Sequence, residues 1–324
     1  MPPTGLVMDE RFERHDTGPG HPERSARLVA IRKALDEGDL ARTCERVEPE
    51  PVDLAALYRL HEGAYVDRLR EACRRGAPYI DVPDSAICPE SYDIALLAAG
   101  GILRAVDGVM EGRLRNAFCA LRPPGHHAER DRSLGFCLFN NLALAADRLL
   151  NHYGLERVMV LDWDVHHCNG TQHTFERTAR VFVCSLHGHP HWVYPGTGFA
   201  EETGIGEGQG YTLNLPMMPG DVGEVYDRAF EEKVLPAAEK YQPQFLLISA
   251  GFDAHRMDPL APICLETSDF DWMTRRAMEI ADRHCDGRLV STLEGGYDLG
   301  ALADCVTTHV SLLRDYLRGD SPNA

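Results

Sequence analysis

Six short apolar or β-branched runs recur along this chain, at 117–121, 158–161, 181–185, 212–215, 245–249 and 288–293. Between and before them lie longer stretches with apolar residues at helical spacing, at 62–75, 92–110, 142–152, 222–241 and 269–284. Near the start, Pro22 is placed to open a helix whose Leu28, Ile31 and Leu35 fall on one stripe. Strands alternating with helices of this length specify βαβ units and a mainly parallel sheet, an α/β fold. The runs are almost continuously apolar rather than alternating, as expected of strands covered on both faces. In an open parallel sheet, ligands bind outside the carboxyl ends of the strands. The residues that follow each run therefore carry the functional information.

Five of the six runs end in polar, titratable or glycine-rich residues. Run 117–121 leads to Arg122-Pro123-Pro124-Gly125-His126-His127, and run 158–161 to Asp162-Trp163-Asp164-Val165-His166-His167. Run 181–185 ends in Ser185 and continues to Leu186-His187, run 245–249 to Gly251-Phe252-Asp253, and run 288–293 to Glu294-Gly295-Gly296-Tyr297. Driving buried strands into carboxylates and imidazoles is costly unless something compensates the charge. Five such ends on one rim make a site.

Asp164 and His166 stand two apart, so on an extended segment both side chains point the same way. Asp253, from another strand end, supplies a third ligand. Two carboxylates and one imidazole suit a borderline divalent ion such as Zn²⁺, with Fe²⁺ and Co²⁺ also compatible. Three protein ligands leave a coordination position open, the catalytic arrangement. The adjacent His126 and His127 form a candidate acid/base pair, with Asp162 a natural partner for one imidazole and Asn169 for the other. Tyr297, after two glycines, is a candidate donor to an oxyanion. Together these parts describe metal-assisted amide hydrolysis.

Composition narrows the classes. With 324 residues, 44% hydrophobic and 26% charged, and no Ser- or Pro-rich linker or short-period repeat, the chain reads as one domain over residues 1–324. A formal net charge of −17 argues against direct nucleic-acid binding. No stretch approaches the ~18 apolar residues that span a bilayer, and the N-terminus lacks a signal-peptide pattern. The ten cysteines are scattered and form no CxxC pair, which fits reduced thiols in the cytoplasm.

Eight segments then carry a resemblance: HPER (21–24), RPPGHHA (122–128), GFCLFNN (135–141), LDWDVHHCNGTQ (161–172), SLH (185–187), YPGTG (194–198), SAGFDAH (249–255) with DPL (258–260), and LEGGYD (293–298). In order and content they resemble the zinc-dependent histone deacetylase superfamily. That superfamily includes class II-like bacterial histone deacetylase-like amidohydrolases and acetylpolyamine amidohydrolases. The resemblance implies the arginase/deacetylase fold, with a central eight-stranded parallel sheet flanked by helices. It implies zinc on Asp164, His166 and Asp253. It makes His127 the general base and acid, with Asn169 behind it, and puts Asp162 behind His126 and Tyr297 at the transition state. It walls an acyl tunnel with Gly135, Phe136 and Tyr194, with Leu260 at the rim and Asp84 gripping the substrate backbone. It also implies a structural K⁺ at Asp162, Asp164, His166, Ser185 and Leu186, and a second monovalent site at Phe175, Thr178, Val181 and Tyr211. One departure stands out: Cys168 occupies a position that is usually glycine. A side chain there is expected to strain the loop that presents Asn169, or to place an oxidisable thiol beside the site.

Three rivals are weighed against this reading. A binuclear ureohydrolase needs two metals about 3.5–4 Å apart and a further Asp two residues after His166, where Cys168 stands. A non-catalytic binder of acetylated ligands has no need of Tyr297 or a full ligand set, and both are present. Within the superfamily, acyl-lysine and acetylpolyamine substrates compete. Leu260 offers apolar contact where a carboxylate would attract a second ammonium, which favours acyl-lysine or a related small amide; the negative charge favours cationic polyamines. The reading admits a homo-oligomer.

Overall fold

All six runs become strands, and two more complete the sheet. The computed structural model describes residues 2–315; Met1 and residues 316–324 of the expected domain lie outside the described residues. The strands are β1 (Thr4–Val7), β2 (Glu45–Arg46), β3 (Asn116–Cys119), β4 (Val158–Asp162), β5 (Val181–Gly188), β6 (Thr212–Met217), β7 (Phe245–Ala250) and β8 (Leu289–Leu293). They pair in the order β2-β1-β3-β8-β7-β4-β5-β6, every pair parallel. This is the expected eight-stranded parallel sheet of the arginase/deacetylase fold. Every residue of β3, β4, β5, β7 and β8 is buried, which requires helices on both faces. Helices Ala26–Glu37, Thr267–His284 and Leu299–Asp315 pack together as one group, and Ser91–Met110 packs on Asn141–Asn151 as another.

The differences from the sequence reading have local causes. β2 has two residues, both exposed, and so carries no hydrophobic signal. The helix expected at 222–241 is broken into Gly223–Ala229, a π-helical turn Phe230–Val234, and Leu235–Tyr241. Pro236 has no N–H to donate to the preceding turn, and the ladder widens just before it. The first long helix starts at Ala26 rather than at Pro22, although Leu28, Ile31 and Leu35 are buried as its stripe predicts. The intervening Glu23 is drawn into a buried ion cluster described below.

Helix Leu299–Asp315 carries His309, fully buried, with Nδ1 2.8 Å from Thr274 Oγ1 and Nε2 2.8 Å from Ser291 Oγ of β8. Burial pushes its imidazole down to about 3. His187 is likewise pushed to about 3, and His15 and His61 to about 4, burial leading in each. Each binds a proton more readily in the unfolded chain. The stability these four contribute is therefore expected to be fully present above about pH 6.5 and to fall as pH drops toward those folded values. For His309 the loss from pH 6.5 to 5 is on the order of 2 kcal/mol. Urea unfolding of wild type and His309→Gln at pH 7 and pH 5 checks this. The variant should lose less stability between the two, and an equal loss would contradict the assignment.

Candidate metal-centred active site

The five strand ends that looked alike in sequence belong to five adjacent strands, β3-β8-β7-β4-β5. Parallel pairing places their carboxyl ends on one rim, with Asp162 of β4 in register with Ser185 on one side and Ser249 on the other. Segments far apart in sequence meet there because the sheet order interleaves them.

At the centre, His166 Nδ1 lies 3.0 Å from both Asp164 Oδ1 and Asp253 Oδ2, and all three residues are buried. Backbone amides fix the other carboxylate oxygens: Val165 N–H donates to Asp253 Oδ1 at 2.8 Å and Gly295 N–H to Asp164 Oδ2 at 2.7 Å. The approach of Gly295 is possible only without a side chain, since a Cβ there would stand 2.0 Å from Asp253 Oδ2. Burial and the charge of Asp164 push Asp253 up to about 7. Burial opposes charge on His166, but the two carboxylates outweigh it and lift the imidazole to about 10. The ligand atoms of Asp164, His166 and Asp253 lie within 4.8 Å of one another, and a cation between them would offset the buried charge. The donor set fits a divalent ion shared by these three groups.

Beside this cluster, the rings of His126 and His127 lie 4.0 Å apart, as a candidate acid/base pair requires. His126 Nδ1 is 3.0 Å from Asp162 Oδ2, and His127 Nδ1 is 2.6 Å from Asn169 Oδ1. The two imidazoles are driven apart. Burial opposes charge on His126, but Asp164 and Asp162 outweigh it and raise it to about 10. Burial and the neighbouring rings of His126 and His166 hold His127 well below its usual value. Environments that separate two titratable groups in this way allow one to act as base while the other carries positive charge.

Tyr297 is half-buried, and burial pushes its phenol well above 10, so it stays a donor. Its N–H donates to Asp258 Oδ2 at 2.7 Å. Arg27 lies over its ring at 5.0 Å and donates to the carbonyls of Gly296 (2.7 Å) and Glu294 (2.5 Å). Arg27 and Arg122 both reach Glu23, whose carboxylate they hold near 2 against its burial. Sequence reasoning put Arg122 and Glu294 on the rim without giving them a role, and gave Glu23, Arg27 and Asp258 no place here. HPER, RPP, DPL and LEGGYD contain all but Arg27, which is marked only by its i, i+4 spacing from Glu23.

A cavity of about 230 Å³ descends to these groups. Asp84, Gly135, Phe136, Tyr194 and Leu260 all line it, together with His126, His127, His166 and Tyr297. Gly135 (φ 53°) and Phe136 (φ 68°) are both left-handed, and a Cβ on Gly135 would sit 2.3 Å from His127 Cδ2. Two such residues in a row turn the Phe136 ring edge-on to Tyr297, 6.0 Å away. Tyr194 and Leu260 are 42% and 41% exposed, placing them at the mouth. Asp84 Oδ1 is buried without a hydrogen-bond partner.

The expectation for Cys168 is corrected. Its φ is −77°, which accommodates a side chain without strain. It is fully buried in the main core, and burial pushes its thiol well above 9, so it behaves as a small hydrophobe rather than as a reactive thiol.

Residues 21–313 match the histone deacetylase domain family. The Archaeoglobus fulgidus protein named "Probable deacetylase" is 42% identical over 303 residues, covering 92% of this chain and 83% of that protein. The Pseudomonas aeruginosa "Histone deacetylase-like amidohydrolase" is 36% identical over 316 residues, covering 94% and 83%. Among solved structures, the HDA15 HD domain superposes with a TM-score of 0.92 at 35% identity, covering 97% of this chain and 90% of that one. A family match of this extent, on a fold whose five central strand ends converge on one buried cluster, establishes that the chain belongs to the histone deacetylase family.

Proposed function

We propose that this chain is a single-domain, zinc-dependent deacetylase that hydrolyses acetylated amines, acyl-lysine or a related small N-acetyl amide, and releases acetate. The observation that carries this reading is the buried Asp164–His166–Asp253 cluster at the floor of a narrow cavity, with a differentiated imidazole pair on one side and a phenol on the other. A divalent ion held by that cluster supplies Lewis acidity toward water and an acyl carbonyl. His127, oriented by Asn169, takes the proton of the attacking water and returns one to the leaving amine. His126, paired with Asp162, holds positive charge beside the developing oxyanion, and the Tyr297 hydroxyl donates to it. Gly135, Phe136 and Tyr194 enclose the acyl chain, and the unpartnered Asp84 oxygen accepts from a substrate N–H. Fe²⁺ or Co²⁺ would satisfy the same donors.

Asp162, Asp164, His166, Ser185 and Leu186 form the proposed K⁺ site beneath the zinc, and Phe175, Thr178, Val181 and Tyr211 the second monovalent site. Asp162 and Ser185 are cross-strand partners, and Val183 N–H bonds the Tyr211 carbonyl beside Val181. We place the protein in the cytoplasm, a reducing setting that suits its ten free cysteines.

Leu260 at the mouth favours acyl-lysine, while the charge of −17 favours a polyamine as the alternative substrate. Acetate release by the zinc-loaded protein, from an acetyl-lysine peptide and from N-acetylspermidine at matched concentrations, separates the two. The peptide is expected to be faster, and Leu260→Glu is expected to shift the ratio toward N-acetylspermidine. A faster polyamine in wild type would make the entrance loops the source of specificity. An unchanged ratio in the variant would remove Leu260 from the argument.

A further inference from the structure

Behind Asn169 stands a carboxylate that the reaction outlined above does not use. Asn169 and His173 are four apart on the helix Asn169–Phe175, so both present to one side of it. There they meet the same oxygen. Asn169 Nδ2 donates to Glu129 Oε1 at 2.6 Å, and His173 Nδ1 lies 2.8 Å from that atom. Glu129 is buried, whereas the His173 side chain is 44% exposed. The Glu129 backbone is held on both sides. Its N–H bonds the Arg132 carbonyl at 3.0 Å, and its own carbonyl is 2.9 Å from Nδ1 of the buried His61, whose Nε2 accepts from Asn140 N–H.

The chemistry of these contacts fixes an orientation. An ionised carboxylate only accepts hydrogen bonds, so the Asn169 NH₂ must face Glu129. The same NH₂ is 3.3 Å from the His127 carbonyl, which also only accepts. The Asn169 carbonyl is thereby turned toward His127 Nδ1, at 2.6 Å. A carbonyl cannot donate, so His127 must carry its proton on Nδ1, leaving Nε2 with a free lone pair. His126 meets a carboxylate directly, whereas His127 meets one at second hand. An amide stands between, passing on orientation while keeping the charge one residue away.

We propose that Glu129 is a positioning residue for His127, acting through Asn169 to fix the imidazole tautomer with Nε2 free to accept a proton, and that His173 anchors Glu129 from the solvent side. The proposal rests on the reading of His127 as the proton-transfer residue.

Four zinc-loaded proteins test it: wild type, Glu129→Gln, Asn169→Asp and the double variant. Glu129→Gln is expected to lower kcat on an acetyl-lysine peptide about tenfold, the usual size for an outer partner, with KM little changed. Asn169→Asp sets two carboxylates against each other and loses activity. The double variant restores an amide facing a carboxylate with their places exchanged, so it should recover at least about tenfold over Asn169→Asp, the sign of direct coupling. Independent losses that multiply would overturn the proposal, because a merely structural Glu129 predicts them. Long-range ¹⁵N–¹H spectra without substrate, with His127 identified by its absence in His127→Ala, provide a second readout. Wild type should show the Nδ1–H tautomer alone and Glu129→Gln a mixture; a single unchanged tautomer in the variant would overturn the proposal. If wild type released no acetate from any substrate, the deacetylase reading would fail, while the spectra would still decide the role of Glu129.

Discussion

The Asp253→Ala protein is expected to lose tight metal binding altogether, and its activity with it. Removing Asp253 takes away one of three ligands and leaves Asp164 and His166, both on the loop after β4, as the only donors. Two ligands on one short loop do not define a tetrahedral site. The substitution also frees Val165 N–H from its 2.8 Å bond to Asp253 Oδ1, loosening the turn that presents His166. Asp253→Asn keeps the shape but weakens the donor, and is expected to fall between the two. Metal analysis after dialysis against a weak chelator gives the answer without a substrate. A full complement in Asp253→Ala would mean that a different residue is the third ligand.

Tyr297→Phe should retain its metal and its substrate affinity yet lose at least ~10²-fold in kcat, the usual loss when one oxyanion donor is removed. The backbone at this point is held independently of the hydroxyl, by Asp258 on the Tyr297 N–H and by Arg27 on the carbonyls of Glu294 and Gly296. The phenylalanine should therefore take the same position. Because burial pushes the phenol well above 10, the hydroxyl remains a donor throughout the neutral range. A fall of less than about threefold would refute a transition-state role for Tyr297 and leave the metal and His126 to stabilise the oxyanion.

The legible parts of this site share a physical cause. Strands buried on both faces must be apolar throughout, so the first polar residue after each marks the rim, and Asp162, Asp164, Asp253 and Glu294 are visible for that reason. β2 escaped notice because two exposed residues have no pattern to read. The Glu23–Arg27–Arg122 cluster, the bond from Tyr297 to Asp258 and the bond from Asn169 to Glu129 join segments 39 to 99 residues apart. Contacts of that range leave no periodic trace in a sequence. Cys168 shows the opposite failure. A departure from a family pattern suggested reactivity, but its φ of −77° and its burial leave an ordinary core residue.

The place of β8 has a consequence for how the protein comes into being. β8 is the last strand of the sheet in sequence, yet it lies between β3 and β7. Until residues 289–293 have left the ribosome, no strand can join β2-β1-β3 to β7-β4-β5-β6, and any sheet formed by then is in two separate pieces. Each piece has an apolar edge open to any other strand, a state in which nascent chains stick to one another. Insertion of β8 closes both edges at once. The same step delivers Gly295 to the two carboxylates and Tyr297 to the cavity, so the growing chain has no complete catalytic centre before its sheet is sealed.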